Sequence, residues 1–277
     1  MIVDAHQHFW SLARGDYAWP NESVAPIFKD FSPQDLEPLL VAAGVDRTVL
    51  VQATDSVDET RFLLDLADKS DRIAAVVGWV DFASDKAVST VQELAKNPQL
   101  KGLRPMLQGI EQADWILQDR AATVLTHMAS VGLRFDALIQ PRHLPHLHEL
   151  AERHPDLAIV IDHLAKPEMG EGREPDHFWR TGMEHLAARP NVFCKLSGMV
   201  TEIGPDWTLQ DLQPFAQTVL DCFGPDRVMF GSDWPVVNLA SDYASWVTTA
   251  RSLLSNLPER DVNKIMGDTA RKFYGIE

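Results

Sequence analysis

Cysteine is scarce: the chain has two in 277 residues, Cys194 and Cys222, without CxxC spacing. That argues against a disulfide-built scaffold; two reduced thiols in a cytoplasmic protein are the expectation. Positive charge is in deficit as well. Lys and Arg number 25 against 40 Asp and Glu, a formal net charge of −15. Such a surface repels nucleic-acid phosphates and anionic lipid, so neither is an expected partner. No apolar run approaches the roughly 18 residues that span a membrane. No basic, apolar leader precedes Ile2-Val3-Asp4, so the expected location is cytoplasmic. No glycine-rich turn follows the first apolar run, which argues against a doubly wound, dinucleotide-binding sheet.

What is present is an alternation. Short β-branched runs, read as strands buried on both faces, are separated by stretches with helical periodicity. Eight such strands are expected, at Ile2–His6, Thr48–Ala53, Ile73–Val80, Leu103–Leu107, Leu133–Ile139, Ala158–Asp162, Val192–Leu196 and Val228–Gly231. Ser56 and Glu59 have the spacing of a capping box. Pro33 after Ser32 fits the first helical position, and Gly44, Gly132 and Gly224 fit helix ends. Eight βα units in a chain close to the ~250 residues of a (β/α)8 barrel predict a TIM barrel, one domain over residues 1–277. Two longer excursions, Ser11–Phe31 and Glu168–Asp176, each follow a strand and are expected at the rim of the catalytic face.

Three strand ends carry the chemistry. The first reads Asp4-Ala5-His6-Gln7-His8-Phe9-Trp10. On an extended segment residues two apart share a side, so His6 and His8 both project inward, suited to a divalent metal or to polarising a carbonyl. The second, Asp162-His163-Leu164-Ala165-Lys166-Pro167, follows the sixth strand; a histidine hydrogen-bonded to loop backbone is its plainer reading. The third, Phe230-Gly231-Ser232-Asp233-Trp234-Pro235, sets an acid at the end of the last strand, where it faces the histidines across a barrel or caps a helix.

His, His and Asp on separate strand ends resemble the amidohydrolase superfamily, and within it the sugar-lactone and pyrone-dicarboxylate lactonases. The middle motifs Lys101-Gly102-Leu103-Arg104, Gln140-Pro141-Arg142-His143 and Lys195-Leu196-Ser197-Gly198 carry the narrower likeness, and Met266–Tyr274 is similar to the last helix of the family, with Asp268 where Asn is commoner. The chain also departs from the pattern. Two-metal members use a bridging Lys or Glu on the fourth strand and a His on the fifth. Here the fourth offers Arg104, and Leu133–Ile139 contains no His. The resemblance therefore implies at most one divalent ion, zinc being the expected one, held by His6, His8, Asp233 and His163, and activity that need not depend on it.

Opening a lactone requires an activated water, a polarised carbonyl and a proton for the leaving ring oxygen. Asp233 is the expected general base and proton carrier; the histidines, His163 among them, are expected to stabilise the oxyanion. Arg104 is a candidate substrate donor, or else a structural ion pair. Asn238 matches a substrate-contacting Asn of the family, or else a turn residue. Trp10 and Trp79 are candidate walls against a sugar ring, or else core. With only Arg104 and Arg142 near strand ends, a neutral aldonolactone such as L-fucono- or L-rhamnono-lactone is expected ahead of pyrone dicarboxylate, and a zinc-dependent decarboxylase of the same superfamily is the other alternative.

Overall fold

The computed structural model describes residues 1–277. Eight parallel strands form one sheet in sequential order: β1 Val3–Gln7, β2 Arg47–Val51, β3 Ile73–Gly78, β4 Leu100–Leu103, β5 Arg134–Ala137, β6 Ile159–Ile161, β7 Val192–Leu196 and β8 Val228–Phe230. The sheet closes on itself just beyond β8, where Gln7 bridges Trp234, the His8 amide donates to the Trp234 carbonyl at 2.7 Å and the Asp233 amide to the His6 carbonyl at 2.7 Å. Closure thus runs through the two chemical motifs themselves. The expected (β/α)8 barrel is the observed fold.

Between β1 and β5 lie helices α1 Pro33–Ala43, α2 Val57–Ala67, α3 Ala87–Leu94 and α4 Asp119–Ser130. Beyond β5 come α5 Leu144–Arg153, α6 His177–Ala187, α7 Met199–Ile203 and α8 Leu209–Phe223, then α9 Tyr243–Leu253, α10 Glu259–Asn263 and α11 Thr269–Tyr274. The larger apolar cluster joins the outer faces of the strands to these helices. A smaller one, with Val3, Ala5, Val49, Val51, Ala75, Val77, Val160 and Met229, fills the bore, and Phe273 and Tyr274 of α11 cover its lower end.

Local chemistry explains most boundaries. Ser32 precedes Pro33, and the Asp35 carboxylate accepts from the Ser32 amide at 2.8 Å. Gly44 ends α1 in the left-handed region at φ 67°. Two expectations need correction. The fourth strand is Leu100–Leu103, not Leu103–Leu107. Lys101-Gly102 breaks the apolar run that would reveal it, and Pro105 lacks the donor a parallel ladder needs. At α2, Ser56 caps the Glu59 amide, but the Glu59 carboxylate turns away from Ser56 and accepts from the amides of Ala53 (3.0 and 3.1 Å) and Thr54 (2.9 Å). It ties the β2–α2 loop from inside, not the helix end.

The inward placement of Glu59 has a measurable consequence. Burial pushes its carboxyl up to about 7, against the pull of the Thr54 and Ala53 amides. An acid whose pKa is raised on folding adds stability below its unfolded value and loses it as pH rises through its folded value. The free energy of unfolding should therefore fall by about 3 kcal/mol between pH 4.5 and pH 7 on account of this group. Glu59→Gln keeps an acceptor for one amide and has no charge to bury. Urea unfolding of both proteins at several pH values should show the slope in one and not the other; parallel curves would refute the assignment.

Candidate active site

At the C-terminal ends of the strands, His6, His8, His163 and Asp233 come together. The Asp233 Oδ1 lies 3.3 Å from His8 Nε2, 3.6 Å from His6 Nε2 and 3.8 Å from His163 Nε2, and His6 Nε2 is 3.2 Å from His8 Nε2. All four residues are buried or nearly so. His6 on β1 and His8 just beyond it share a side because they stand two apart on extended backbone, with the His8 amide donating to the Trp234 carbonyl at 2.7 Å. His8 is held by its Nδ1–H, which donates to the Val51 carbonyl at 2.7 Å. The Asp233 carboxylate accepts no backbone N–H, so helix capping is not its use.

Backbone strain is concentrated here. His163, Leu164, Ala165 and Lys166 run consecutively at φ 52°, 54°, 60° and 51°, a turn of left-handed helix without a glycine. Such residues cost ~1–2 kcal/mol each, so the turn persists only because its surroundings fix it. The Trp179 indole donates to the Leu164 carbonyl at 2.8 Å, Lys166 pairs with Glu202 at 2.8 Å, and His163 Nδ1 meets Ser197 Oγ at 2.8 Å. Asp233 is also left-handed, at φ 58°. Its turn is pinned by Ser232, whose Oγ accepts from the Trp234 amide at 3.0 Å and whose amide donates to Asp4 at 2.7 Å.

Beneath the histidines lies an ion network. Lys195 Nζ contacts Asp136 Oδ2 at 2.5 Å, Asp162 Oδ1 at 2.9 Å and His6 Nδ1 at 3.2 Å. Tyr274 donates to Asp136 from α11 at 2.7 Å. Arg104 donates to Asp162 Oδ2 at 3.2 Å, to the Gln52 amide oxygen at 2.9 Å and to the Gln52 carbonyl. Burial pushes the Asp162 carboxyl up, but Lys195, His6 and Arg104 outweigh it and hold the group well below the usual range. Burial also lowers His6 strongly and His163 to about 4, leaving both rings neutral near pH 7. Against burial, the facing histidines, His163 first, keep Asp233 below the ordinary carboxylate range.

His8, His163, Asp233 and Arg104 open onto a cavity of about 250 Å³ whose other walls include Trp19, Met106, Gln108, Leu138, Lys166 and Val236. Arg104 therefore reaches the cavity while bonded to Gln52 and Asp162. Trp10, Trp79 and Asn238 do not line it. Trp10 is buried, donates to the Lys29 carbonyl at 2.7 Å and packs edge-on against Phe31 and Trp19. Trp79 exchanges backbone bonds with the Thr60 hydroxyl at 2.8 and 2.9 Å. Asn238 lines a separate depression with Phe31 and Trp234, because Val236–Leu239 coils away from Asp233. Arg142 is spent on the carbonyls of Gln108, Ile110 and Glu111. Trp19, on the excursion expected at the rim, supplies the aromatic wall in place of Trp10 and Trp79. Lys195 and Asp162 lie within motifs of the family, but their sequence context suggests no role; only the pairing of strands five to seven reveals what they touch.

The donor atoms suit a metal ion. Zinc held at ~2.0–2.1 Å in a tetrahedron sets neighbouring ligand atoms roughly 3.3–3.4 Å apart, and His6, His8 and Asp233 present separations of 3.2, 3.3 and 3.6 Å. Those three are mutually close enough to share one ion, and His6, Asp162 and His163 form an overlapping set. A parallel barrel with two histidines at the end of its first strand and an aspartate after its last forms a centre of hydrolase type with donor atoms able to hold a metal ion. The chain belongs to the Amidohydrolase family, which it matches over residues 3–276. It is 44% identical over 279 residues to the L-fucono-1,5-lactonase of Burkholderia ambifaria, covering 99% of this chain and 96% of that one. It is 35% identical to the L-fucono-1,5-lactonase of Burkholderia multivorans, with 99% and 96% covered. A crystal structure of an amidohydrolase from Burkholderia multivorans with bound Zn superposes with a TM-score of 0.93 at 34% identity, covering all of both chains. No helix of this protein is long and apolar enough to cross a membrane.

Proposed function

We propose that this protein hydrolyses a sugar lactone, an aldonolactone of the L-fucono or L-rhamnono kind, with Asp233 activating the water. The observation that carries the reading is Asp233 Oδ1, on which three imidazole nitrogens converge within 3.8 Å at the floor of a small cavity. In the proposed reaction Asp233 takes a proton from water as its oxygen bonds to the lactone carbonyl carbon. The ring C–O bond then breaks, and the same proton passes to the ring oxygen, which leaves as a hydroxyl. His163 and Arg104 stabilise the negative carbonyl oxygen. Trp19, Met106 and Leu138 give the ring an apolar wall, and Gln108 offers hydrogen bonds to its hydroxyls. The 44% identity to a lactonase over almost the whole chain supports this substrate class.

The metal is proposed as a single divalent ion at most, zinc by preference, with His6, His8 and Asp233 as ligands and His163 beside them. Such an ion, held by those residues, would supply Lewis acidity toward the lactone carbonyl and the attacking water. Two cations, Lys195 and Arg104, already face the two carboxylates Asp136 and Asp162, so a second metal would meet positive charge where it needs ligands. Asp233 alone has only imidazoles for partners. A dicarboxylate substrate is disfavoured for a related reason. Arg104 is already paired with Asp162 and Gln52 and Lys166 with Glu202, so the cavity offers a partial positive charge for one carbonyl oxygen but not two free cations for two carboxylates.

A lactone panel followed by acid release, with and without a chelator, tests the reading. Neutral deoxy-sugar lactones should be opened much faster than pyrone dicarboxylate, and elemental analysis should find no more than one metal equivalent per chain. Faster turnover of the dicarboxylate, carbon dioxide in place of titratable acid, or two tightly held metals would overturn it.

A further inference from the structure

His6 presents Nδ1 to two opposite neighbours. Lys195 Nζ, 3.2 Å away, can only donate; Asp162 Oδ1, 3.4 Å away, can only accept. A neutral imidazole carries one proton, so the ring can satisfy one neighbour at a time. If Nδ1 accepts from Lys195, the proton is on Nε2, which faces His8 Nε2 at 3.2 Å and, on its other side, the Arg104 Nη1 donor at 3.4 Å. The His8 nitrogen is free to accept, because His8 places its own proton on Nδ1 for the Val51 carbonyl. If Nδ1–H instead donates to Asp162, His6 Nε2 presents a lone pair beside those of His8 Nε2 and Asp233 Oδ1. Only this second form can bind a metal ion.

Asp162 is built for that second form. Arg104 fixes its Oδ2 at 3.2 Å. Its Oδ1 is fully buried and pairs with Lys195 Nζ at 2.9 Å, while the shorter Lys195 contact goes to Asp136 Oδ2; a second lone pair of Oδ1 has no partner. A fully buried carboxylate oxygen has room for a further donor besides its cation. Here that further donor is within reach, the Nδ1–H of His6 at 3.4 Å.

We infer that Asp162 and Lys195 together select the tautomer of His6, Lys195 holding the Nε2–H form while the site has no ion and Asp162 the Nδ1–H form that turns Nε2 to a metal. The proton moves from one ring nitrogen to the other and the charge of the ring is unchanged. Asp162 and Lys195 are positioning residues: they touch neither substrate nor metal and act through His6. The fixed carboxylate behind a ligating histidine commonly raises metal affinity 10–100-fold. This inference rests on the single-metal reading proposed above.

The test uses the full chain with 15N-labelled histidine. Two-bond nitrogen–proton correlations report which nitrogen of His6 carries the proton, first after chelation and again with one equivalent of zinc. Nε2–H is expected without metal and Nδ1–H with it. In competition with a chromophoric chelator, Asp162→Asn should bind zinc roughly 10–100-fold more weakly. If Asp162→Asn does not fold, the spectra of the unaltered chain decide alone. If zinc binds and His6 keeps the same tautomer throughout, or folded Asp162→Asn binds zinc as tightly as the unaltered chain, this inference fails and the metal reading stands. If the unaltered chain takes up no zinc, this inference fails, while the proposed lactone hydrolysis, which requires no more than one metal, stands or falls by the lactone panel.

Discussion

Asp233→Asn is expected to lower kcat by ~10²–10⁴-fold, the range for losing a general base, while KM changes by no more than a few-fold. Asn has the shape of Asp and keeps an oxygen near the position of Oδ1, but it cannot take a proton from water. The carboxylate acts on water in the transition state and little on the bound lactone, so the loss belongs in kcat. The surroundings define what else should happen. His6 and His163 are neutral near pH 7, so removing the Asp233 charge breaks no full ion pair, and the fold should hold. In the unaltered enzyme the neighbours keep Asp233 ionised below the ordinary carboxylate range, and His163 stays neutral down to about pH 4. Its activity should therefore be flat across the mildly acidic range and fall only as pH drops through about 4. Steady-state kinetics from pH 4 to pH 8, with zinc content measured on both proteins, separate base from ligand. A variant that retains zinc and near-normal kcat would show that water is activated without Asp233.

Much of this centre is legible in the sequence alone. His6 and His8 stand two apart at the end of a buried strand, and Asp233 stands after a Gly-Ser bend at the end of another; period and position suffice for both. Their convergence needs only the barrel to close, and closure runs through those same residues. What is not legible has physical causes. Lys101-Gly102 disguises β4, because Gly102 is there for spacing: a Cβ on it would sit 3.0 Å from the Arg134 carbonyl oxygen of the next strand. Asn238 is five residues from Asp233, but the left-handed Asp233 and the short helix after it turn that distance away from the cavity. Trp10 follows His8 by two, yet its backbone bridges Phe31 and its indole donates to the Lys29 carbonyl, which hold the ring against the Ser11–Phe31 excursion and away from the cavity. Lys195, Asp136 and Tyr274 meet at the barrel axis from β7, β5 and α11. Nothing in their local sequence marks a partner that distant, because such a contact exists only once the sheet has closed.

Gly198→Ala should lower kcat ~10²-fold without unfolding the protein, through a residue that touches no reactant. Gly198 follows β7 at φ 67°, in the left-handed region, and a Cβ built there would lie 2.5 Å from His163 Nδ1, 2.6 Å from its Cγ and 2.9 Å from its Cβ. Neither side can yield easily. The Gly198 carbonyl accepts from the Thr201 hydroxyl at 2.8 Å at the start of α7, and His163 sits on the left-handed turn that Trp179 holds through Leu164. The cheapest escape is rotation of the imidazole, which breaks its bond to Ser197 Oγ and turns Nε2 away from Asp233. Misplacing a reacting group by about 1 Å commonly costs on the order of 10² in rate. Backbone strain alone would give a different result, and Gly44→Ala measures it. Gly44 shares φ 67° at the end of α1 but has no atom within 4 Å of a Cβ. That variant should lose about 1–2 kcal/mol of stability and none of its activity. Gly198→Ala should lose at least as much stability and, beyond it, the rate. Equal activity in the two variants would mean that the orientation of His163 does not matter to the reaction, and His163 would then be a buried structural histidine.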